Sequence, residues 1–160
     1  MNILAACADH MIERARQDAP NETCGFFTGR RQDIPVAAGT GPSMAGGRRG
    51  LIESIHPMKN ASAEPRIRYE FEPVEHFKTL KRMEREGTLI LGVYHSHPAS
   101  PAFPSATDVA RATLPDGTPT YPEYLYIIVS LEFPAAPALR AFRVLPGGEI
   151  KEEGLEFVSH

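Results

Sequence analysis

Two continuous apolar segments limit the folds that are open to this chain. Residues 89–97 begin with the run LILGVY, and residues 124–131 read YLYIIVSL. Continuous apolar runs of this length are typical of strands that are buried on both faces of a sheet. We therefore predict two buried strands here, and helices that cover both faces of the sheet to which they belong.

The neighbouring segments supply those helices. Residues 2–18 carry apolar side chains at three- and four-residue spacing before Pro20, and residues 73–86 do so before Gly87. This spacing predicts two amphipathic helices that end at these breakers. A third, short helix is expected to begin near Ser105. The apolar face predicted for the second helix consists of Val74, Phe77, Leu80 and Met83.

Further short segments have the composition of strands, namely 24–28, 34–38, 51–55, 67–71, 138–144 and 149–158, the last two as a pair. Strands and helices interleave, but the strands are too many for simple βαβ units. We therefore predict an α/β (α+β) fold with a mixed central β-sheet flanked by helices, in a single domain over residues 1–160. The glycine-rich segment 39–50 is either a functional loop or a disordered surface loop.

Composition excludes several classes of protein. The chain has 160 residues, the size of one ordinary domain, and a net charge of −3, which argues against a basic nucleic-acid-binding protein. The sequence contains no apolar run near the roughly 20 residues of a membrane-spanning helix. Two cysteines, Cys7 and Cys24, are too few for a disulfide framework. We expect a cytoplasmic protein with neither nucleic acid nor membrane as a partner.

One segment carries a pattern of metal-ligating residue types. His95 and His97 are two residues apart at the end of a predicted strand, so their side chains point to the same side. Pro98 keeps that end extended. Asp108 follows eleven residues after His97, where a loop can fold back and add a carboxylate. Catalytic zinc sites commonly have three protein ligands and keep a fourth position for water, whose pKa falls to about 7.

The same residues also admit a purely structural interpretation. A His-x-His pair alone is a weak indicator of metal binding. Ser105 and Asp108 have the spacing of a capping box at the start of a helix, and a carboxylate in the first turn suits the helix dipole. Capping and metal binding are compatible, because one residue can do both.

The complete string resembles the signature of the JAMM (MPN+) metalloprotease family. His-x-His-Pro is followed by Ser-x-x-Asp, with seven residues between the second His and the Ser, and the segment ETCGFFTG upstream is similar to the family's E-x-C-G segment. The resemblance implies the JAMM/MPN fold and a zinc ion (Zn²⁺) held by His95, His97 and Asp108. It also implies that Glu22 is the general base and that Ser105 stabilises the oxyanion of the tetrahedral intermediate.

Without the resemblance, Glu22 is not distinguishable by type from other carboxylates, and an exposed turn carboxylate is the simpler interpretation. The equivalent candidates are Glu53, Glu70, Glu72 and Glu75. Cys24 is interpreted as a core thiol. The histidines interpreted as surface or structural residues are His10, His56, His76 and His160.

The length of the chain is similar to that of the small stand-alone bacterial members of the family, the Mec+-like peptidases. Such members act on ubiquitin-like sulfur-carrier proteins and cut after the carrier's C-terminal Gly-Gly. The resemblance therefore implies a zinc-dependent peptidase or isopeptidase whose partner is such a carrier. Two alternatives are a zinc hydrolase of small amides or peptides and a non-catalytic MPN scaffold. The metal ligands that scaffold members lack are present here, which argues against the second.

Overall fold

The computed structural model describes residues 1–31 and 50–159. They contain three α-helices and eight strands. The helices are α1 (Ala5–Asp18), α2 (Pro73–Arg85) and α3 (Ala106–Ala112). The strands are β1 (Asn2–Leu4), β2 (Cys24–Arg31), β3 (Gly50–Met58), β4 (Ile90–His97), β5 (Leu125–Ser130), β6 (Ala138–Val144), β7 (Ile150–Glu153) and β8 (Glu156–Val158).

The eight strands form one mixed sheet in the order β7-β6-β5-β4-β2-β3-β1-β8. β4 lies in its middle, antiparallel to β2 and parallel to β5. The two apolar runs are therefore the neighbouring central strands β4 and β5, as predicted. The fold class is confirmed, and so are the strands expected within β2, β3 and β6.

The two faces of β4 have different neighbours. Tyr94 packs on the face that α1 covers, whereas Val93 packs with Met83 of α2 on the opposite face. Because side chains alternate along a strand, His95 and His97 lie on the same face as Val93. The metal-ligating pair therefore faces the side of the sheet that carries α2.

Gly25 allows β2 and β4 to lie close together beside His95. A Cβ atom at Gly25 would lie 2.7 Å from Cε1 of the buried Tyr94 ring and 2.4 Å from the carbonyl oxygen of His56. The His56 carbonyl belongs to the backbone of β3, and the Tyr94 ring is fully buried. A larger residue at this position would push β2 away from β3 and from the Tyr94 ring of β4, so Gly25 is part of the framework of the site.

The predictions for the two ends of the chain are partly wrong. Residues 2–4 form β1 rather than the first turn of a helix, because Ile3 and Leu4 are buried in the sheet between β3 and β8. The predicted single strand over 149–158 is two strands. β7 pairs with β6 as expected, but β8 lies beside β1 at the opposite edge of the sheet.

The segment before α2 also differs from its prediction. Residues 67–71 form no strand, and Phe71 makes a single isolated bridge with Asn60. Turns occupy residues 65–67 instead, and Tyr69 turns toward the central sheet, where its ring contacts His95.

The apolar face predicted for α2 is wrong in part. Val74 and Phe77 are 57% and 62% exposed, while the helix buries Thr79 and Met83. Leu80 is partly buried against the same core.

Two predictions lie outside the described residues, namely the strand at 34–38 and most of the glycine-rich segment, whose last residue, Gly50, begins β3. Within residues 1–31 and 50–159, no helix combines the length and the apolar character that crossing a membrane requires.

Candidate metal centre

The end of β4 directs two imidazoles at one point. The Nε2 atoms of His95 and His97 lie 3.1 Å apart, and the two residues are only 2% and 5% exposed. The pair converges because residues two apart on a strand share a face. The predicted arrangement of the two histidines is confirmed.

Asp108 adds a carboxylate to this pair. Its Oδ2 atom lies 3.3 Å from His95 Nε2 and 3.2 Å from His97 Nε2. The backbone N–H of Ser105 donates to the same Oδ2 atom at 2.8 Å, and the Ser105 hydroxyl accepts from the Asp108 N–H at 3.1 Å. The loop therefore folds back as predicted, and the capping box at the start of α3 fixes the carboxylate that faces the histidines.

The donor set and its spacing fit a tetrahedral metal ion. The three ligand atoms lie 3.1–3.3 Å from one another. Zinc ligands about 2.0–2.1 Å from the metal lie about 3.3 Å apart in a tetrahedron. His97 Nδ1 lies 2.8 Å from the Pro101 carbonyl, which can only accept, so Nδ1 carries a proton. In the protonated ring Nε2 donates to Asp108 Oδ2 at 3.2 Å, and in the neutral ring Nε2 is free to bind a cation beside that oxygen. A cation at this point would satisfy both groups.

Burial and the contacts within the group determine its charges. Burial lowers the pKa of His95. Burial opposes the ionisation of Asp108, but the hydrogen bonds with His95 and His97 outweigh it and lower the pKa of Asp108 well below its usual range. Burial also opposes the protonation of His97, yet its contacts with Asp108 and the Pro101 carbonyl raise its pKa. Asp108 is therefore an ionised carboxylate at neutral pH.

Glu22 lies beside this group and is buried, which rules out the exposed turn carboxylate considered above. It is 4% exposed, and its Oε2 atom has no hydrogen-bond partner among the described residues. Burial raises the pKa of Glu22 to about 7, and the nearby charge of His97 opposes the rise. A carboxyl group with this pKa can take up and release a proton near neutral pH.

Hydrogen bonds between the residue after Glu22 and strand β4 fix the position of the Glu22 backbone. The N–H of Thr23 donates to the Ser96 hydroxyl at 2.8 Å, and the N–H of Ser96 donates to the Thr23 carbonyl at 3.0 Å. Ser96 lies between His95 and His97 in the chain. Glu22 therefore directly precedes Thr23, whose two hydrogen bonds with Ser96 join the start of β2 to the end of β4.

Sequence reasoning missed Tyr69, which completes one side of the group. Its ring stacks on His95 with 4.6 Å between centroids, and its carbonyl accepts a hydrogen bond from Arg111. Beside it, a cavity of about 250 Å³ adjoins Asp108. The aromatic residues in its wall are Phe26, Tyr69, Phe71, Tyr121, Tyr124 and Tyr126. The alternating apolar residues of 67–71 suggested a strand, so nothing in the sequence pointed to this contact.

The other carboxylates considered above have different surroundings. Glu53 pairs with Arg30 at 2.8 Å, Glu70 pairs with Arg111 at 3.6 Å, and Glu72 caps α2. Glu75 lies in the first turn of that helix, and its N–H donates to the Glu72 side chain. Of these five carboxylates, Glu22 alone is buried.

The cysteines and the other histidines that the structure describes lie outside the group of His95, His97 and Asp108. Cys24 is a buried core thiol whose pKa burial raises to about 12. His10 is exposed, His56 shares a hydrogen bond with the Thr28 hydroxyl, and His76 packs against aromatic rings. His160 lies outside the described residues.

Known proteins resemble this chain over most of its length. The profile of the prokaryotic homologues of the JAB domain matches residues 4–145. A desampylase of Haloferax volcanii is 34% identical over 134 residues, 81% of this chain and 80% of that protein. A CysO-cysteine peptidase of Mycobacterium tuberculosis is 32% identical over 151 residues, 94% and 86% of the two chains. A solved structure from Desulfitobacterium hafniense, 30% identical, superposes with a TM-score of 0.75 over 99% of this chain and 93% of that one.

Proposed function

This chain belongs to the family of prokaryotic homologues of the JAB domain, and from that premise we propose the activity of a zinc metallopeptidase. Its proposed reaction is hydrolysis of the amide bond after the C-terminal Gly-Gly of a ubiquitin-like sulfur-carrier protein in the cytoplasm. The observation that carries the proposal is the convergence of His95, His97 and Asp108 near the buried carboxyl group of Glu22, whose Oε2 atom has no hydrogen-bond partner among the described residues. We assign residues 1–160 to one JAMM/MPN domain.

The proposed zinc ligands are His95 Nε2, His97 Nε2 and Asp108 Oδ2. When bound, zinc supplies a Lewis acid for the amide carbonyl and lowers the pKa of water to about 7. The chain holds these three atoms in place before any metal arrives, because the Pro101 carbonyl orients His97 and the Ser105 N–H orients Asp108. Such partners of the ligands raise metal affinity by fixing ligand geometry.

Glu22 is the proposed general base. Its carboxylate takes a proton from the attacking water and then delivers that proton to the nitrogen of the leaving amine. Both transfers need a carboxyl group that changes its protonation state near neutral pH, which a pKa of about 7 allows. Burial also keeps the Oε2 atom free of competing hydrogen bonds within the described residues.

Ser105 is the proposed donor to the oxyanion. Its hydroxyl oxygen accepts from the Asp108 N–H, which leaves the hydroxyl hydrogen available to a substrate oxygen. The residue is exposed, unlike the histidines next to it. A donor that is already held in position can stabilise developing charge by a few kcal/mol.

The depth of the site supports Gly-Gly as the sequence that is cut. The side chains of His95, His97 and Asp108 are only 2%, 5% and 14% exposed, so a scissile bond has to approach closely packed groups. Glycine has no side chain to obstruct that approach. The names of two relatives, desampylase and CysO-cysteine peptidase, support a carrier protein as the substrate.

A second candidate is the hydrolysis of small amides. The aromatic cavity of about 250 Å³ beside Asp108 favours it, because a preformed apolar cavity is typical of small-molecule sites. This candidate uses the same proposed zinc ligands and the same proposed base. It differs in its substrate, since a small molecule rather than the end of a carrier protein would occupy the cavity beside Asp108.

A panel of substrates separates the two candidates. Ubiquitin-like carriers extended beyond Gly-Gly and small acyl-amides of glycine are incubated with the zinc-loaded protein, and products are identified by mass spectrometry. We expect the carriers to be cut after the second glycine and the small amides to be cut poorly. Cleavage of the small amides alone would establish the second candidate, and cleavage of neither would refute both.

Chelation provides the matched control for this panel. We expect a chelator to abolish cleavage and to leave the far-ultraviolet circular dichroism spectrum largely unchanged, because none of the three proposed ligands belongs to the two large apolar clusters described on the faces of the sheet. Collapse of the spectrum would mean that the metal is structural.

A further inference from the structure

The side chain of Asn60 organises the segment between β3 and α2. Its Nδ2 group donates to the carbonyls of Glu22 at 3.0 Å and Arg68 at 2.9 Å, with the Pro65 carbonyl at 3.5 Å. Its Oδ1 atom accepts from the backbone N–H groups of Ser62 at 3.0 Å and Glu70 at 3.2 Å. Both amide hydrogens and both acceptor positions of this one side chain are therefore engaged.

This segment holds the backbone of Glu22 from the side away from β4. The Glu22 N–H donates to the Pro65 carbonyl at 2.7 Å, and the Glu22 carbonyl accepts from Asn60. The next residue, Thr23, is bonded to Ser96 on the ligand strand. Glu22 is thus fixed on one side by the segment that Asn60 organises and on the other by β4.

The same segment also contacts a proposed metal ligand. Tyr69, next to the Arg68 and Glu70 backbones that Asn60 binds, stacks on the His95 ring at 4.6 Å between centroids. One side chain therefore links the backbone of the buried carboxylate to the ring that packs on the ligand pair. Among the described residues, Asn60 makes no hydrogen bond with any of the three proposed ligand atoms.

We propose that Asn60 is a positioning residue for Glu22, one that fixes the carboxylate relative to the metal ligands without touching the substrate. The inference rests on the proposed function, in which Glu22 is the general base. Its physical basis is that a base must hold its oxygen at hydrogen-bond distance from the attacking water, and that a displacement of about 1 Å can cost about 10²-fold in rate.

The chemistry of this position favours an asparagine amide. Two carbonyl oxygens need donors and two N–H groups need an acceptor around one short side chain. An aspartate would keep the acceptor but place its second oxygen against the carbonyls of Glu22 and Arg68. An alanine would leave all four groups without this partner.

The first test compares Asn60→Ala with Asn21→Ala, which changes an exposed asparagine next to Glu22. On a carrier that the wild-type protein cuts, we expect Asn60→Ala to lower kcat by about 10-fold to 100-fold with KM and bound zinc nearly unchanged. Asn21→Ala should match the wild type. An Asn60→Ala protein with wild-type kcat would overturn the proposal, as would a loss explained entirely by missing zinc. If Asn60→Ala does not fold, Asn60→Asp is used in its place, because aspartate has nearly the same shape as asparagine. We expect the same loss of kcat from it.

The second test is the double variant with Glu22→Gln. If Asn60 acts by positioning the Glu22 carboxylate, removing it should cost less than about 3-fold in kcat once that carboxylate is gone, because the two effects are not additive. A general structural role would give the same loss in both backgrounds and would contradict the proposal. A wild-type protein that cuts no substrate would refute the proposed function instead, so the two failures are distinguishable.

Discussion

The two halves of the site are built in different ways. The ligand half, consisting of His95, His97 and Asp108, comes from one strand, one loop and one helix start within a short stretch of chain. The base half, consisting of Glu22 and its backbone partners, joins the end of α1 to the segment before α2 and to β4. Local rules set the first half, while tertiary contacts set the second.

The halves also differ in electrostatics. The Asp108 carboxylate is paired with two histidines and with the Ser105 N–H, and these contacts lower its pKa. The Oε2 atom of Glu22 has no such partner in the described chain, and burial raises the pKa of that group. We infer that the ligand half is arranged to hold a cation, and that the base half keeps a carboxyl oxygen without a hydrogen-bond partner in residues 1–31 and 50–159 at a cost in stability.

Removing a ligand should have the largest effect. We expect His97→Ala to lose tight zinc binding, from about one zinc per chain to nearly none, and with it all measurable cleavage, because two ligands are too few for a catalytic zinc site. Metal analysis of the purified variant measures this. Undiminished tight zinc in the variant would remove His97 from the ligand set.

Glu22→Gln should separate the base half from the ligand half. The amide cannot accept a proton, so kcat should fall by about 10³-fold to 10⁴-fold, while zinc content and KM change little. Steady-state kinetics together with metal analysis on the same preparation gives all three quantities. Near-normal turnover with full zinc would mean that Glu22 is not the base.

The ligand half could be predicted from sequence because its geometry is local. A strand places His95 and His97 on one side, and a capping box at Ser105 orients Asp108. Glu22 could be selected only through the family resemblance, because its burial depends on segments that are distant in the chain. The contact of Tyr69 with His95 escaped prediction, because residues 67–71 have the apolar alternation of a strand.

Errors elsewhere have similar causes. β1 has three residues, too few to show the two-residue alternation of a strand. The sequence pattern therefore assigns its apolar residues to the helix that follows. In α2, Val74 and Phe77 have the spacing of a buried face but are exposed. The helix buries Thr79 and Met83, and the apolar pattern does not predict the burial of Thr79.

The same Glu22→Gln substitution should stabilise the metal-free protein in a pH-dependent way. The pKa of Glu22 is about 7 in the folded chain against an ordinary value of 4.5, so the contribution of the neutral carboxyl group to stability is complete below pH 4.5 and is lost as pH rises through 7. Relative to wild type, the glutamine variant should gain about 3 kcal/mol between pH 4 and pH 8.

Chemical denaturation of both chelated proteins at the two pH values measures this gain. Glu13→Gln, a change at an exposed carboxylate of α1, is the matched control and should show no comparable gain. A glutamine variant whose advantage is the same at both pH values would show that Glu22 is not a buried titrating group.

Ser105→Ala should have the smallest effect of the series. Loss of the hydroxyl should lower kcat by roughly 10²-fold, less than the loss from Glu22→Gln, and loss of the cap should cost about 1 kcal/mol of stability. Ser105→Thr keeps both functions and should recover most of the activity. If the alanine variant loses stability alone, Ser105 is only the cap of α3.

The site of cleavage and the origin of the added oxygen test the central claim most directly. A carrier extended beyond Gly-Gly is digested in water labelled with heavy oxygen, with and without chelator, and the products are analysed by mass spectrometry. We predict one cut, after the second glycine, one labelled oxygen in the new glycine carboxylate, and no product with chelator present. A cut at another bond, a product without the label, or undiminished cleavage under chelation would contradict a metal-dependent hydrolysis at this position.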